Sequence, residues 1–300
     1  MFVKTLNLPR VSIVIPTKNR HARLQRLLAS VESQDYPNFE VIVIDDGSDL
    51  PVDLGKQNTD NFSVIRNVVS QGCCAARNRG IEIARGEFVI VLDDDAEFND
   101  PSTVSRAVAL IKNHSRCGAI GFSQLKPDGD PQYMQPAHTD VACFTSIFFG
   151  YGFLLRKSAF SRIGNFNAVI GIYYDENEFC LRLMNAGYKI IFDPSLRVIH
   201  HHDPVGRDPI GMHRLVLRNS IITALLHSPV SFIPPQIVKR LIQFIRLSRQ
   251  TGRSLDFDGL SWVFREIRQV LPEVRKQRRP MKLQILRMFR QLNREPVALN

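Results

Sequence analysis

Short apolar runs that end abruptly at polar residues mark the first hundred positions of the chain. Residues 11–15, 41–44 and 88–92 are rich in valine and isoleucine, and a polar residue or turn follows each run at once. Almost wholly apolar runs of this length are typical of parallel strands that are buried on both faces. The pattern therefore predicts three buried strands with polar side chains at their carboxyl ends.

Helical periodicity separates these runs. Between residues 24 and 31, leucine and valine recur at intervals of three and four positions, as on one face of a helix. Asp100 and Pro101 precede a second such pattern and predict a helix with Asp100 as its N-cap. The alternation predicts an α/β fold, a doubly wound nucleotide-binding sheet with helices on both faces.

The middle of the chain continues this alternation, and its last third is helical alone. Further strands are expected at residues 151–155, 189–192 and 196–199, and a helix at 175–186. Residues 124–139 contain several prolines and no periodicity, which predicts a functional loop. After residue 204, helices are expected at 215–226, 236–247, 262–271 and 282–292.

The composition is that of an ordinary globular protein. Of the 300 residues, 44% are apolar and 23% charged, which excludes a disordered or collagen-like chain. The longest apolar stretch, residues 141–155, is too short and too often interrupted to span a membrane, and residues 1–9 lack the apolar segment of a signal peptide. Five cysteines without a C-x-x-C pair exclude a zinc ribbon. We expect a cytoplasmic protein.

The net charge of +10 is concentrated in the last third. Residues 205–300 contain 18 lysines and arginines against 6 acidic residues, whereas the rest of the chain is almost neutral. Few aromatic residues accompany this charge, and no nucleic-acid-binding module is present, so we expect no nucleic-acid partner. An anionic membrane surface or a phosphate-bearing substrate fits the charge. Two amphipathic stretches, residues 239–249 and 279–290, could lie in such a surface or pack on the rest of the protein.

Three consecutive carboxylates follow the strand predicted at residues 88–92. Asp93 and Asp95 project in the same direction from an extended segment, and oxygen ligands of this kind hold Mg²⁺ or Mn²⁺. The alternative is a solvated turn that caps the next helix. Because the carboxyl ends of the predicted strands share one edge, the polar residues 16–20 and 45–48 are expected beside the triplet.

Three other polar groups are candidates for chemistry, each with an ordinary structural alternative. Arg77 could point toward a diphosphate or lie on a solvated helix face. Asp175 and Glu176 open a predicted helix, where Asp175 and Glu178 could form a capping box or Glu176 could act as a general base. His200 and His202 share one face of a strand end, and we favour a functional role for one of them.

Five segments in order resemble the motifs of family 2 glycosyltransferases of the GT-A fold. They are V-S-I-V-I-P-T-K-N-R, E-V-I-V-I-D-D-G-S, A-R-N-R-G, E-F-V-I-V-L-D-D-D and D-E-N-E-F-C-L-R-L-M-N-A-G-Y. The resemblance covers about residues 10–225. It implies a catalytic domain at 1–204, with a nucleotide-sugar half at about 10–122 and an acceptor half at about 123–204, followed by a basic helical region at 205–300.

The resemblance also implies a role for individual residues. Asp93 and Asp95 match the D-x-D positions, which with His200 and His202 would hold Mn²⁺ or Mg²⁺. Glu176 matches the general base, although the two acids stand in swapped order, which leaves Asp175 as the alternative. The donor is expected to contact Pro16, Thr17, Asn19, Arg20, Asp45, Asp46, Arg77, Asp93, Asp94 and Arg218.

The implied activity is metal-dependent, inverting transfer of one sugar from a nucleotide-sugar donor, with UDP- or dTDP-sugars favoured. The acceptor would be a glycan, a glycolipid or a small molecule, and the Q-x-x-R-W signature of processive members is absent. A nucleotidyltransferase is an alternative, but its Gly-rich phosphate loop has no counterpart in residues 11–20. A second alternative is a non-catalytic protein that binds nucleotide sugars.

Overall fold

The computed structural model describes residues 8–57, 59–201, 208–250 and 256–299. The first half of the fold alternates strands and helices as expected. Its elements are β1 (Val11–Thr17), α1 (His21–Glu32), β2 (Phe39–Asp45), β3 (Phe62–Arg66), α2 (Cys73–Ile83), β4 (Phe88–Leu92), β5 (Ala96–Phe98) and α3 (Thr103–Asn113).

The second half adds antiparallel strands and then the helical region. Its elements are β6 (Cys117–Leu125), β7 (Cys143–Thr145), β8 (Gly152–Arg156), α4 (Lys157–Ile163), α5 (Asp175–Asn185), β9 (Lys189–His200), α6 (Pro209–His227), α7 (Ile233–Gln250), α8 (Phe257–Gln277), α9 (Leu283–Arg294) and β10 (Val297–Ala298). No helix of the described residues has both the length and the apolar character needed to cross a bilayer.

One mixed sheet holds the strands together, in the order β10-β7-β9-β6-β8-β4-β1-β2-β3, with β5 paired to β9. The strands β3, β2, β1 and β4 are parallel. Because β8 is antiparallel to both β4 and β6, these two run in the same direction, and β9 is parallel to β6. The carboxyl ends of β1, β2, β4, β6 and β9 therefore lie at one edge of the sheet.

Alternate side chains of the central strands enter two apolar cores. Ile13 of β1 and Ile90 of β4 pack with helices α1 and α3 on one face of the sheet. Val14 and Val91 pack with α2, α4 and α5 on the other face. This alternation follows from the two-residue period of a strand and confirms the predicted helices on both faces.

The helical region is attached to the sheet at several points. Helices α6, α7 and α8 enclose a third core that includes Ile170, a residue of the segment before α5. Helix α9 packs through Leu286 against Leu181 of α5, and β10 pairs with β7. The division of the chain at residues 204 and 205 stays a prediction, and contacts cross it at all of these places.

Three local predictions differ from the structure. The segments 189–192 and 196–199 belong to one strand, β9. Between them, Asp193 accepts two hydrogen bonds from Ser195, and this local irregularity does not end the strand. Helix α3 begins at Thr103 rather than at Pro101, since the Asp100 carboxylate binds Ser102. The C-terminal helices are also longer than expected.

The capping box at the start of α5 is wrong. Tyr174 is the N-cap and Asp175 the first helical residue, so the Asp175 carboxylate is directed elsewhere. Glu178 is fully buried and pairs with Arg182 at 2.9 Å and with Nε2 of His227 at 2.7 Å. Burial by itself would raise the pKa of Glu178. The charge of Arg182 and the hydrogen bond with His227 outweigh this effect and lower the pKa to about 2. Glu178 therefore joins α5 to α6.

Candidate active site

Two carboxylates and one imidazole converge at the edge of the sheet where the parallel strands end. One ligand atom from each of Asp93, Asp95 and His200 lies within 4.8 Å of the others. Backbone pairing fixes this approach, because β5 follows Asp95 directly and Ala96 lies opposite His200 in β9. Burial, opposed by Arg77 and assisted by Asp95, raises the pKa of Asp93 to about 6. The group has the ligand atoms and spacing of a cation site.

Gln124 determines how His200 faces this group. The Gln124 Nε2 donates to the carbonyl of Met134, so its Oε1 faces Nδ1 of His200 at 2.8 Å. An amide oxygen accepts only, and Nδ1 must therefore carry the proton in the neutral ring. The Nε2 of His200, 3.1 Å from Asp95, then presents its lone pair to the carboxylates. Such an outer partner is typical of metal-binding histidines.

His201, the next histidine of the predicted cluster, lies apart from this arrangement. His201 points to the opposite side, where its Nε2 lies 2.7 Å from Oε1 of Glu97. His202, which the sequence also predicts as a metal ligand, lies outside the described residues.

Asp94 faces the end of β1 instead of the group formed by Asp93, Asp95 and His200. It accepts a hydrogen bond from Oγ1 of Thr17 at 2.7 Å and pairs with Arg20 at 2.9 Å. Arg20 also lies 3.3 Å from Asp95 and so bridges two of the three carboxylates. Pro16 precedes Thr17 in β1, and the strand end is thereby fastened to the acidic triplet.

The two aspartates at the end of β2 are occupied by local hydrogen bonds. Asp45 is fully buried and accepts from Ser48, and these bonds, against the opposing effect of burial, lower its pKa. Asp46 accepts four hydrogen bonds from the segment 67–72. Asn19, at φ 55°, exchanges hydrogen bonds with Asp49 and joins the ends of β1 and β2. These hydrogen bonds fix the loops that follow β1 and β2, and the contact of Asn19, Asp45 and Asp46 with a nucleotide stays a prediction.

Arg77 connects the cation site to the acid pair. Its side chain is buried, with Nη2 3.6 Å from Asp93 and Nη1 2.9 Å from Asp175. The guanidinium also lies over the rings of Phe153 and Phe166. The charged side chain therefore has one fixed position, in which it faces a carboxylate of each group.

The two acids at the start of α5 have different environments. Asp175 is 4% exposed and is held by Arg77 and by the thiol of Cys74. Glu176 is half-buried, and its Oε1 accepts a hydrogen bond from the backbone N–H of Gly150 at 2.9 Å. Burial, and then the charge of Asp175, raises the pKa of Glu176 well above its ordinary value. Glu176 is thus the more accessible of the two.

Gly150 leaves room for the side chains of both Arg77 and Glu176. A Cβ at this position would lie 2.7 Å from Nη2 of Arg77 and 2.7 Å from Oε1 of Glu176. A side chain at this position would therefore displace the Arg77 guanidinium or the Glu176 carboxylate from the positions described.

The segment that precedes the acids has an uncommon backbone. Tyr173 and Tyr174 both have positive φ, 64° and 69°, a conformation that costs free energy for a residue with a Cβ. Asn219 of α6 is fully buried and donates to the carbonyls of Ile172 and Tyr173, at 2.9 and 2.7 Å. The helical region therefore stabilises the strained turn that aims Glu176.

Arg218 acts on the same segment. Its Nη1 donates to the carbonyl of Val169 at 3.0 Å, and burial lowers its pKa. The prediction that Arg218 contacts the nucleotide stays a prediction, and in this structure the guanidinium binds backbone. The sequence predicts no site role for Gln124. Asn219 follows Arg218 in an Arg-Asn pair that resembles the corresponding motif of family 2 glycosyltransferases, and its contacts with Ile172 and Tyr173 were not predicted.

Known proteins share sequence and fold with this chain. The model of the family described as glycosyl transferase family 2 matches residues 12–173, more than half of the chain. The chain belongs to glycosyl transferase family 2. The fold is that of a mannosyltransferase from Pyrobaculum calidifontis, solved in complex with GDP-Man and Mn²⁺. Its TM-score is 0.56 at 17% identity, over 95% of this chain and 84% of that one.

Two curated relatives are similar over shorter stretches. An uncharacterised glycosyltransferase of Haemophilus influenzae is 27% identical over 58% of this chain and 62% of its own length. A protein of Escherichia coli K12, named a putative colanic acid biosynthesis glycosyl transferase, is 38% identical over 31% of this chain and 34% of its own. The alignments thus span less than two thirds of these relatives.

Proposed function

We propose that this chain is an inverting, metal-dependent glycosyltransferase that moves one sugar from a nucleotide-sugar donor to an acceptor hydroxyl. One observation carries the proposal: the buried guanidinium of Arg77 contacts both Asp93 and Asp175. Asp93 belongs to the cation group with Asp95 and His200, and Asp175 belongs to the acid pair at the start of α5. A leaving-group site and a base site are thereby joined in a single rigid arrangement.

The donor atoms fit a divalent cation. Two carboxylates and an imidazole suit Mn²⁺ better than Mg²⁺, which prefers oxygen ligands alone. The fixed ring of His200, with Nδ1 directed at Gln124, fits such a role. A bound cation would supply positive charge to the diphosphate as it departs.

Glu176 is the proposed general base, and Asp175 the residue that orients Arg77. An acceptor hydroxyl must lose its proton as its oxygen bonds to the anomeric carbon, and Glu176 is the accessible carboxylate for this transfer. The hydrogen bond from Gly150 to Oε1 holds the carboxylate in one orientation. Attack from the base side with departure on the opposite side inverts the anomeric configuration.

Donor and acceptor classes rest on the relatives. The mannosyltransferase with the same fold was solved with GDP-Man, and an Escherichia coli relative is named for colanic acid biosynthesis. We therefore propose a nucleotide-sugar donor and an acceptor in cell-envelope glycan synthesis: a glycan, a glycolipid or a small molecule. The resemblance of the sequence motifs puts UDP- or dTDP-sugars first in a screen. The proposed location is the cytoplasm, at the inner face of the cell membrane.

The test is a screen of UDP-, dTDP- and GDP-sugars with the full-length protein and glycan, glycolipid and small-molecule acceptors, in Mn²⁺, in Mg²⁺ and in EDTA. Release of nucleoside diphosphate and a product with inverted anomeric configuration, seen by NMR, are expected with the cation only. Binding of a nucleotide sugar with neither hydrolysis nor transfer would instead favour a non-catalytic binding protein. Release of pyrophosphate would favour a nucleotidyltransferase.

A further inference from the structure

The excess positive charge of the C-terminal region is localised on two of its helices. Helices α7 and α9 together contain seven lysines and arginines and no acidic residue. Helix α8, between them in sequence, carries four basic residues and three acidic ones. Within the described parts of the chain, none of the seven cations of α7 and α9 forms an ion pair with a carboxylate.

Lys239, Arg246 and Arg249 are exposed and lie on one side of α7, at intervals of seven and three positions. Partial burial, and then the positive charges of Arg240, Arg290 and Arg294, lower the pKa of Lys239. Lys239 of α7 therefore lies near the exposed Arg290 and Arg294 of α9. We call Lys239, Arg246 and Arg249 of α7, with Arg290 and Arg294, the basic face. Mutual repulsion among these groups costs stability unless an anionic partner neutralises them.

Apolar side chains are exposed along the same helix. Val238 is 54% exposed and Ile242 44%, and they lie one helical turn apart, next to Lys239 and Arg246. Exposed aliphatic groups interleaved with arginines and lysines are typical of a helix that lies in the headgroup region of an anionic bilayer. A soluble phosphate would neutralise the cations but would leave these apolar side chains in water.

The second amphipathic stretch predicted from the sequence packs most of its apolar side chains on the rest of the protein. Met281 and Leu286 are buried against Leu181 of α5, and Ile285 and Phe289 pack on the same cluster. The apolar side of α9 therefore packs on α5. This is the second of the two interpretations of the sequence, in which the amphipathic stretch packs on the rest of the protein. Outside this contact, α9 exposes its three arginines together with Met288, which is 38% exposed.

The basic face is connected to the acid pair by one side chain. Arg240 of α7 donates to the hydroxyl of Tyr174 and lies over its ring, with 5.3 Å from Cζ to the ring centroid. Tyr174 directly precedes Asp175 and Glu176. A surface that meets α7 therefore also lies close to the acids.

We infer that the basic face, with Val238 and Ile242, is a docking surface for an anionic bilayer. The occupant is the lipid surface itself, and docking brings the acid pair to membrane-borne acceptors. The second part of this inference rests on the proposed function, whereas docking itself needs neither donor nor catalysis.

The experiment is cosedimentation of the full-length protein with vesicles of phosphatidylcholine, with and without phosphatidylglycerol. We expect binding to the anionic vesicles alone, with loss of binding as salt screens the charges. In a variant with Lys239→Glu, Arg246→Glu and Arg249→Glu, binding should fall by roughly ten-fold or more. Absence of wild-type binding to anionic vesicles would overturn the inference.

A matched variant separates this surface from general basicity. Arg265→Glu, Arg268→Glu and Arg275→Glu change three exposed residues of α8 and alter the net charge by the same amount. Binding by this variant should stay within about two-fold of the wild type, while thermal melting verifies that both variants are folded. Equal loss in both variants would overturn the inference in favour of non-specific attraction. The same cosedimentation is repeated with inorganic diphosphate added at constant ionic strength. If diphosphate releases the protein from the anionic vesicles, the basic face is a site for a soluble anion and the inference is overturned.

Discussion

The Nδ1 of His200 lies 2.8 Å from the Oε1 of Gln124, and this contact decides which ring nitrogen faces the carboxylates. Gln124→Leu removes the acceptor, so the ring is free to turn or to change tautomer. We expect Mn²⁺ affinity to fall by about 10- to 100-fold. Gln124→Glu keeps an acceptor oxygen and should retain most of the affinity. Calorimetric titration of Mn²⁺ measures both, and equal affinities in Gln124→Leu and wild type would contradict the assignment.

Asp95→Asn tests the cation group directly. The substitution removes one carboxylate from the three ligand groups, so Mn²⁺ binding and sugar transfer should both be lost. Asp94→Asn changes the adjacent residue, which binds Thr17 and Arg20 instead, and should retain Mn²⁺ binding. Full activity of Asp95→Asn, or of the wild type in EDTA, would refute the D-x-D assignment.

Glu176→Gln tests the proposed base. The amide keeps the size of the side chain but does not accept a proton, and kcat should fall by roughly 10²- to 10⁴-fold while donor affinity hardly changes. Steady-state kinetics and donor titration measure the two quantities. If Asp175→Asn abolishes transfer while Glu176→Gln works normally, the base is Asp175.

The pH profile should reflect the environment of Glu176. Burial and the charge of Asp175 raise its pKa, and only the deprotonated form accepts a proton. Activity should therefore rise with pH through a limb near neutrality, well above the value of about 4.3 for an exposed glutamate. Asp175→Asn removes the neighbouring negative charge and should shift this limb to lower pH. A profile of kcat/KM that is flat between pH 5 and about 8 would contradict the prediction.

Asn219→Ala tests the support of the strained turn. It leaves the carbonyls of Ile172 and Tyr173 without their buried donor, and the free energy of unfolding should fall by about 1 to 3 kcal/mol. Transfer should weaken as well, since the acids follow this turn. Ser220→Ala, on the same helix, removes only a local bond to Leu217 and should have a small effect in both assays. Denaturant melts and kinetics of the two variants make the comparison.

Much of this site could be predicted from the sequence, because the carboxyl ends of parallel strands meet at one edge of the sheet. Apolar runs located β1, β2 and β4, and because their carboxyl ends share an edge, the neighbourhood of Thr17, Asp45 and Asp93 followed. The approach of His200 requires β9 to run parallel to β6, a long-range pairing that no local pattern encodes. Gln124 lies where the sequence has no period, so its hydrogen bond to His200 could not be foreseen.

The return of the chain to the sheet has a consequence for how the protein unfolds. Leu299 donates its backbone N–H to Ala142, β10 closes on β7, and α9 covers α5. The last residues of the chain are thereby joined to β7 and α5, which lie more than 100 positions earlier in the sequence. We expect a single cooperative transition on heating, and a chain that ends after α7 should expose the apolar side of α5 and aggregate rather than survive as a smaller enzyme.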